Sequence, residues 1–423
     1  MRKGVAALVL AVIGALVPGV AHAGPYSPDP SYQANQIVRD AKFGNGAIYL
    51  AGEFTSMRPA GADPGTGEVT RNHAAAIDAS TGALLPWDPN VNGVVYSLVV
   101  DGGTVYLAGK FTSVNGVART NLAAVDATTA AVKSWNPKAG GAVRVIVKGP
   151  NGTFFIGGGF GTVNSQTRKR LAEITPAGTV TSWSVNVGQV SGFACPPRCS
   201  PTVYTIDFST DGQTVFFGGH FGLVNNVGRN EVAAVSITNG STLLPWDPDV
   251  YADGNCPTCT TNETARVYHL IITASKAYMC GGFWKVYHGT RRAYNVLVTN
   301  LSNGEPDPVY SAGNDGDTPG CALRGGVLYF GGHFNYVGKI CSQNPGGGAT
   351  KCTVDNATTR HHVAAVNATT GEVLAWDANA NSNHGIWAIE AGPNGQMAFT
   401  GYFTRIGGSK QQMIAKYSAS HLI

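Results

Sequence analysis

Seven times along the chain, an apolar strand runs into one or two small residues and then a phenylalanine. The copies read IYLAGEF to Phe54, VYLAGKF to Phe111, FFIGGGF to Phe160, VFFGGHF to Phe221, AYMCGGF to Phe283, LYFGGHF to Phe334 and AFTGYF to Phe403, with the phenylalanines 49 to 69 residues apart. A repeat of this length is one supersecondary unit that cannot bury its apolar face alone, so neighbours must stack. Upstream of each copy stands a strand ending in a turn, such as VYSLVVDGG and VRVIVKGPNG. Downstream comes a third strand with its own hairpin, as in HAAAIDASTGALLPWDP and HVAAVNATTGEVLAWDA, and a fourth ending at Trp-Asp-Pro. Four antiparallel strands per unit with no helical periodicity predict an all-β fold, a seven-bladed β-propeller of four-stranded antiparallel blades.

The last unit stops before its fourth strand, while GPYSPDPSYQANQIVRDAKFGNG aligns with LLPWDPNVNGVVYSLVVDGG. Tyr26-Ser27-Pro28-Asp29-Pro30 is therefore expected to supply the missing strand and close the ring from the N-terminus, removing the open sheet edges that invite aggregation. Residues 1–23 place Arg2 and Lys3 before an apolar run ending in Ala21-His22-Ala23, the pattern of a bacterial-looking signal peptide. The expected product is a secreted, extracellular single domain spanning 24–423. No later stretch approaches the roughly 20 apolar residues of a membrane span.

Only 13% of residues are charged and the formal charge is +4, falling to +2 without Arg2 and Lys3. Such a balance lacks the basic footprint of a nucleic-acid partner. A monomer is expected. Eight cysteines, even in number, suit disulfides in an oxidising compartment.

The recurring Tyr/Phe-x-Gly/Ala-Gly-x-Phe, the arginine that follows, Ala-Ala-Val/Ile-Asp/Asn and Trp-Asp/Asn-Pro together resemble the delta-60 repeat type of bacterial secreted propeller over nearly the whole mature chain. The fifth unit departs at Asp307-Pro308, where tryptophan is missing, and the sixth carries an insertion between Phe334 and Arg360. The resemblance implies a fold and no reaction or catalytic residues.

Repetition itself argues against catalysis by the repeated polar residues. Arg71, Arg119, Arg168, Arg229, Arg291, Arg360 and the substituted Lys410 all precede third strands, so a carbonyl clamp or ion pair within each blade is expected. Trp87, Trp135, Trp183, Trp246 and Trp376 are expected to cover neighbouring sheets. A quinone-docking role is the competing reading.

Insertions at 55–70, 193–202, 250–266, 309–320, 336–359 and 378–384 all fall on one face, and loops on a rigid scaffold carry function. Cys195 with Cys199, Cys256 with Cys259 and Cys341 with Cys352 suit local disulfides. Cys280 and Cys321 align on adjacent strands of neighbouring blades. Zinc at the two short pairs is the alternative. The variable position before each phenylalanine holds Glu53, Lys110, Gly159, His220, Gly282, His333 and Tyr402, expected near the channel mouth. Glu53, Lys110, His220, Trp284, His333 and Tyr402 are the candidate ligand-binding residues, with no catalytic set among them. Asn314-Asp315-Gly316-Asp317 reads as a turn, with calcium at Asp315 and Asp317 as the competing assignment. The leading functional expectation is a non-catalytic recognition module binding an extracellular glycan or protein through its loop-rich face, helped by loop aromatics such as Tyr251, Trp284 and Tyr287. The alternatives are a secreted polysaccharide hydrolase or lyase using Glu53, Asp315, His220 or His333, and a quinone-dependent oxidoreductase.

Overall fold

A computed structural model describes residues 26–189, 200–250, 265–283, 285–286, 291–339, 355–382 and 384–423. Within them, seven open antiparallel sheets each carry one repeat. The first consists of Val38–Gly44, Ala47–Gly52 and Ala74–Asp78. Asn45 and Gly46 join its first two strands with φ of 52° and 76°, the left-handed pair that matches the twist of a two-residue hairpin. Second strands such as Ala47–Gly52 and Phe154–Gly158 are buried along their whole length, which is why they read as continuous apolar runs.

Four-stranded sheets were expected, but a full fourth strand, Val180–Ser184, forms only in the third repeat among the described residues. Elsewhere the fourth segment is held by single bridges such as Ile77 with Leu84 and Val235 with Leu243. In the first, fourth and fifth repeats Pro86, Pro245 and Pro308 occupy this segment, and a proline has no N–H for the ladder.

The connection between second and third strands is itself a small hairpin, which the repeat pattern did not lead us to expect. Ser113–Val114 pairs with Val117–Ala118 and Thr162–Val163 with Gln166–Thr167. The link arriving from the preceding repeat adds to these hairpins, through Gln33–Ala34 on Ser56–Arg58 and through the Val91–Val114 bridge. A side-chain oxygen on the link caps the hairpin. Asn35 Oδ1 accepts from the N–H of Thr55 and Ser56, Asn92 Oδ1 from Thr112 and Ser113, Asp315 Oδ1 from Asn335 and Tyr336, and Asn381 Oδ1 from Thr404 and Arg405.

The repeated arginines clamp carbonyls. Arg71, Arg119, Arg168, Arg229 and Arg360 each donate from Nη1 to the preceding carbonyl and from Nη2 to the fourth segment, at Leu85, Lys133, Thr181, Leu244 and Leu374. Arg229 also reaches Asp247 of its Trp-Asp-Pro at 3.3 Å. The tryptophans join successive repeats: Trp87 Nε1 donates to Asp126 O at 2.9 Å and Trp183 Nε1 to Ser236 O at 3.1 Å.

Apolar clusters straddle successive repeats in the same way. Trp87 packs with Val95 and Leu107, while Ala398, Met413 and Ile414 of the last repeat pack with Ile48, Leu50 and Phe54 of the first. Asp29 bridges Lys416, donating from N to Lys416 O at 2.7 Å, and its carboxylate lies 3.5 Å from Lys416 Nζ and 3.0 Å from His421 Nδ1. Cys280 and Cys321, in neighbouring repeats, are disulfide-bonded with a Cα separation of 6.4 Å. Among the described residues no helix is long and apolar enough to cross a membrane.

Candidate ligand site at the cavity mouth

Residues from the first strands of six repeats, with Pro319 ahead of the first strand of the remaining one, line a cavity of about 370 Å³. Six of those strands carry an irregularity near their start, between Val38 and Asp40, Val95 and Ser97, Val143 and Val145, Val203 and Thr205, Val267 and His269, and Ile386 and Ala388. A bulge of this kind leaves one residue out of the ladder and re-aims its side chain. The residues so released are Arg39, Tyr96, Arg144, Tyr204, Tyr268 and Trp387, all of them on the cavity wall. They stand at strand starts, beside the ends of second strands, since Val38 pairs with Gly52, Val94 with Lys110, Thr202 with His220 and Gly385 with Tyr402.

The released side chains contact each other around this layer. The Arg39 guanidinium lies 4.1 Å from the centre of the Trp387 ring, and that of Arg144 lies 4.0 Å from the centre of Tyr96. Tyr204 and Tyr268 stand 5.4 Å apart with their rings inclined by 49°. Arg266 Nη1 donates to Tyr268 Oη at 3.3 Å. Arg39 Nε donates to Glu53 Oε1 at 2.9 Å, so this cation is already paired. Cations over aromatic faces hold both groups in fixed orientation.

One layer deeper, side chains tie neighbouring repeats. Asp40 Oδ2 accepts from Leu98 N at 3.0 Å and Thr205 Oγ1 from Leu270 N at 3.0 Å. Lys42 sits between Asp40 at 3.2 Å and Glu390 at 2.7 Å, joining the first and last repeats. Burial alone would lower its ammonium, but the two carboxylates outweigh that and raise it. The same burial raises Glu390, opposed by Lys42. His269 on the cavity wall is pushed down to about 4 by burial and by Lys42, so it is neutral near pH 7. Asp207 accepts from the N–H of Phe208 and Ile272, and burial raises it.

The sequence candidates occupy different surroundings. Glu53 joins the mouth layer through Arg39, and Lys110 is exposed at the end of its strand. His220 is 3% exposed and its Nδ1 contacts Glu231 at 3.3 Å and the Ala265 carbonyl at 3.2 Å. His333 and Tyr402 are brought together through His384, whose ring stands 5.5 Å from His333 and 5.2 Å from Tyr402. Trp284, Tyr251, Tyr287 and the cysteines Cys195, Cys199, Cys256, Cys259, Cys341 and Cys352 lie outside the described residues. Asp315 makes the hairpin cap that asparagine makes in other repeats, and the Asp317 carbonyl accepts from His333 N at 2.7 Å.

Sequence reasoning missed the released layer itself. The signal was present: in VRDAKF, VYSLVV, VRVIVK, VYTIDF, VYHLII and IWAIEA, the residue after the first Val or Ile is always large and aromatic or arginine, within otherwise apolar strands. Simple alternation would assign that position to one face of a regular strand, and only the bulge turns it to the cavity.

No protein-family model matches the chain, and no curated protein matches it. Among solved structures it is similar to the WD40 β-propeller domain of Doa1, with a TM-score of 0.50 and 11% identity over 92% of this chain and 97% of that one. Two further likenesses are the computationally designed Ika8 protein, with TM-score 0.47, 12% identity and coverage of 93% and 99%, and the extracellular domain of the one-component system BT4673 from B. thetaiotaomicron, with TM-score 0.49, 13% identity and coverage of 92% and 40%. The all-β sheets and the likeness to the Doa1 domain define the chain as a β-propeller. The delta-60 resemblance rests on the repeat residues alone.

Proposed function

We propose that this chain is a secreted, non-catalytic recognition module, a seven-bladed ring completed by its N-terminal segment, that binds an extracellular glycan or protein at the mouth of its central cavity. The observation that carries this reading is the layer of Arg39, Tyr96, Arg144, Tyr204, Tyr268 and Trp387 around one cavity. Large rigid aromatic and arginine side chains supply contact area at low conformational cost, and such groups dominate binding hot spots. Glu53, Lys110, His333 and Tyr402 would form the rim, with His384 added to them. The ring closure is supported by the Asp29–Lys416 bridge and by the apolar cluster shared between the first and last repeats. Secretion as a monomer rests on residues 1–23 and on the composition. Calcium at Asp315 and Asp317 would appear in elemental analysis of the purified protein.

A printed glycan array and a pull-down from culture supernatant test the site. Binding is expected, and a Tyr204→Ala/Tyr268→Ala variant should lose at least about tenfold in affinity. Undiminished binding by that variant would place the ligand elsewhere.

Polysaccharide cleavage is the second reading. Its best-supported carboxylates are Asp40 and Glu390, which share Lys42 inside the cavity. Release of reducing ends that disappears in Glu390→Gln would favour it.

A further inference from the structure

Of the charged groups that line the cavity, all but one are engaged by protein. Arg39 is bound to Glu53, Lys42 to Asp40 and Glu390, and Asp207 to two backbone N–H groups. Arg144 is the exception: among the described residues it has neither an ion-pair partner nor a hydrogen bond, and its sole specific contact is the Tyr96 ring 4.0 Å below it. The contact with Tyr96 holds the guanidinium over the ring and leaves its N–H donors without a protein acceptor among the described residues. A planar fork of that kind matches a carboxylate bidentately, and holding it ready lowers the ordering cost of binding.

The surroundings restrict what brings that carboxylate. Tyr204 and Tyr268 line the same cavity, ahead of Asp207, Lys42 and Glu390, which lie further along their strands. The Lys42 cluster sets one cation against two carboxylates, and Asp207 is a further acid, so the deeper wall disfavours an anion. An anion is therefore favoured at the level of Arg144 and disfavoured deeper. The volume of about 370 Å³ suits one or two sugar rings rather than a folded protein surface.

We propose, resting on the recognition reading above, that the ligand is an acidic glycan. A uronate-type carboxylate pairs with Arg144 and the sugar rings lie against Tyr204 and Tyr268. Arg39 is engaged by Glu53, His269 is neutral near pH 7, and Arg266, behind the tyrosines, donates to the Tyr268 hydroxyl, so among the described residues Arg144 is the wall cation with no protein hydrogen bond or ion pair.

The experiment probes a printed array of uronate-bearing, sialylated and neutral oligosaccharides with the full chain and with Arg144→Gln. Calorimetry then follows on the strongest binder and on its carboxyl-reduced form. The expected result is that bound glycans carry carboxylates, and that reducing the carboxyl or making Arg144→Gln each weakens binding by about tenfold or more. The two changes together should cost little more than either alone, because both remove one contact. Neutral glycans bound as tightly as acidic ones, or an acid preference retained by Arg144→Gln, overturns the acidic assignment and leaves glycan recognition standing. A blank array overturns both. Should Arg144→Gln fail to fold, Arg144→Lys, which keeps the charge without the fork, gives the same comparison with partial loss, and the carboxyl-reduced glycan needs no variant.

Discussion

Lys42, in the first repeat, sits 2.7 Å from Glu390 in the last, although 348 positions separate them in the chain. The same ammonium lies 3.2 Å from Asp40, so one cation holds two carboxylates that face each other across the junction of the first and seventh repeats.

Replacing that cation isolates its partners. Lys42→Met is expected to cost about 2 kcal/mol at pH 7, below the roughly 3–5 kcal/mol of a dry pair. The discount reflects a Lys42 side chain 32% open to the cavity. As pH falls and Glu390, whose carboxyl burial raises, takes up a proton, the deficit should shrink. Denaturant melts of both proteins at pH 7 and pH 4 check this, and an equal deficit at both values would contradict the arrangement.

The buried pair of His220 and Glu231 gives stability a slope of opposite sense to that of an ordinary carboxylate. Burial pushes the Glu231 carboxyl from 4.5 up to about 7, only partly opposed by His220. Burial opposes protonation of His220, but the bond and charge of Glu231 outweigh it and raise that group too. Between about pH 4.5 and 7 the folded protein therefore holds protons that the unfolded chain has released. This contribution is full at the acid end and is lost as pH rises. Thermal melts across that interval should show the slope, and Glu231→Gln should flatten it.

Asp29 compensates Lys416, whose side chain is only 4% exposed and which also donates to Ser80 O at 2.9 Å. Asp29→Ala leaves this ammonium short of its counter-charge and is expected to cost about 2–4 kcal/mol, lowering the melting temperature by several degrees. An unchanged melt would mean that the Asp29 carboxylate adds nothing to the last repeat.

The Cys280–Cys321 bond closes a loop with a sequence separation of 41 between strands of neighbouring repeats. The double variant Cys280→Ala/Cys321→Ala should be about 2–4 kcal/mol less stable, through the unfolded chain's regained freedom. Guanidinium melts under non-reducing conditions measure the difference. Both half-cystines are fully buried, so the cavity left by the removed sulfur atoms adds to the loss.

Strand order, the turns and the roles of repeated residues could be read from the chain because each depends on local chemistry that recurs. Arg119 clamps Lys133 O because it precedes a third strand, as Arg71 and Arg360 do. The pairing of Cys280 with Cys321 was legible for the same reason, since the second strand of one repeat lies beside the first strand of the next. In the first and fourth repeats the fourth strand was overestimated because a run interrupted by Pro86 or Pro245 looks like a strand until its missing N–H groups are counted, while the second and sixth repeats, without that proline, also form single bridges only.

The site obeys a different rule. Arg39 meets Trp387, and Tyr204 meets Tyr268, only because repeats stack around a common cavity, and each points inward only because a bulge takes it out of the ladder. Periodicity of two cannot report a bulge, and spacing along the chain cannot report which side chains converge from separate repeats. The amino-acid sequence thus determined the repeating unit and its internal clamps. The tertiary structure decided which variable positions face one another, where Arg144 is left without a protein partner among the described residues, and hence where a ligand can be held.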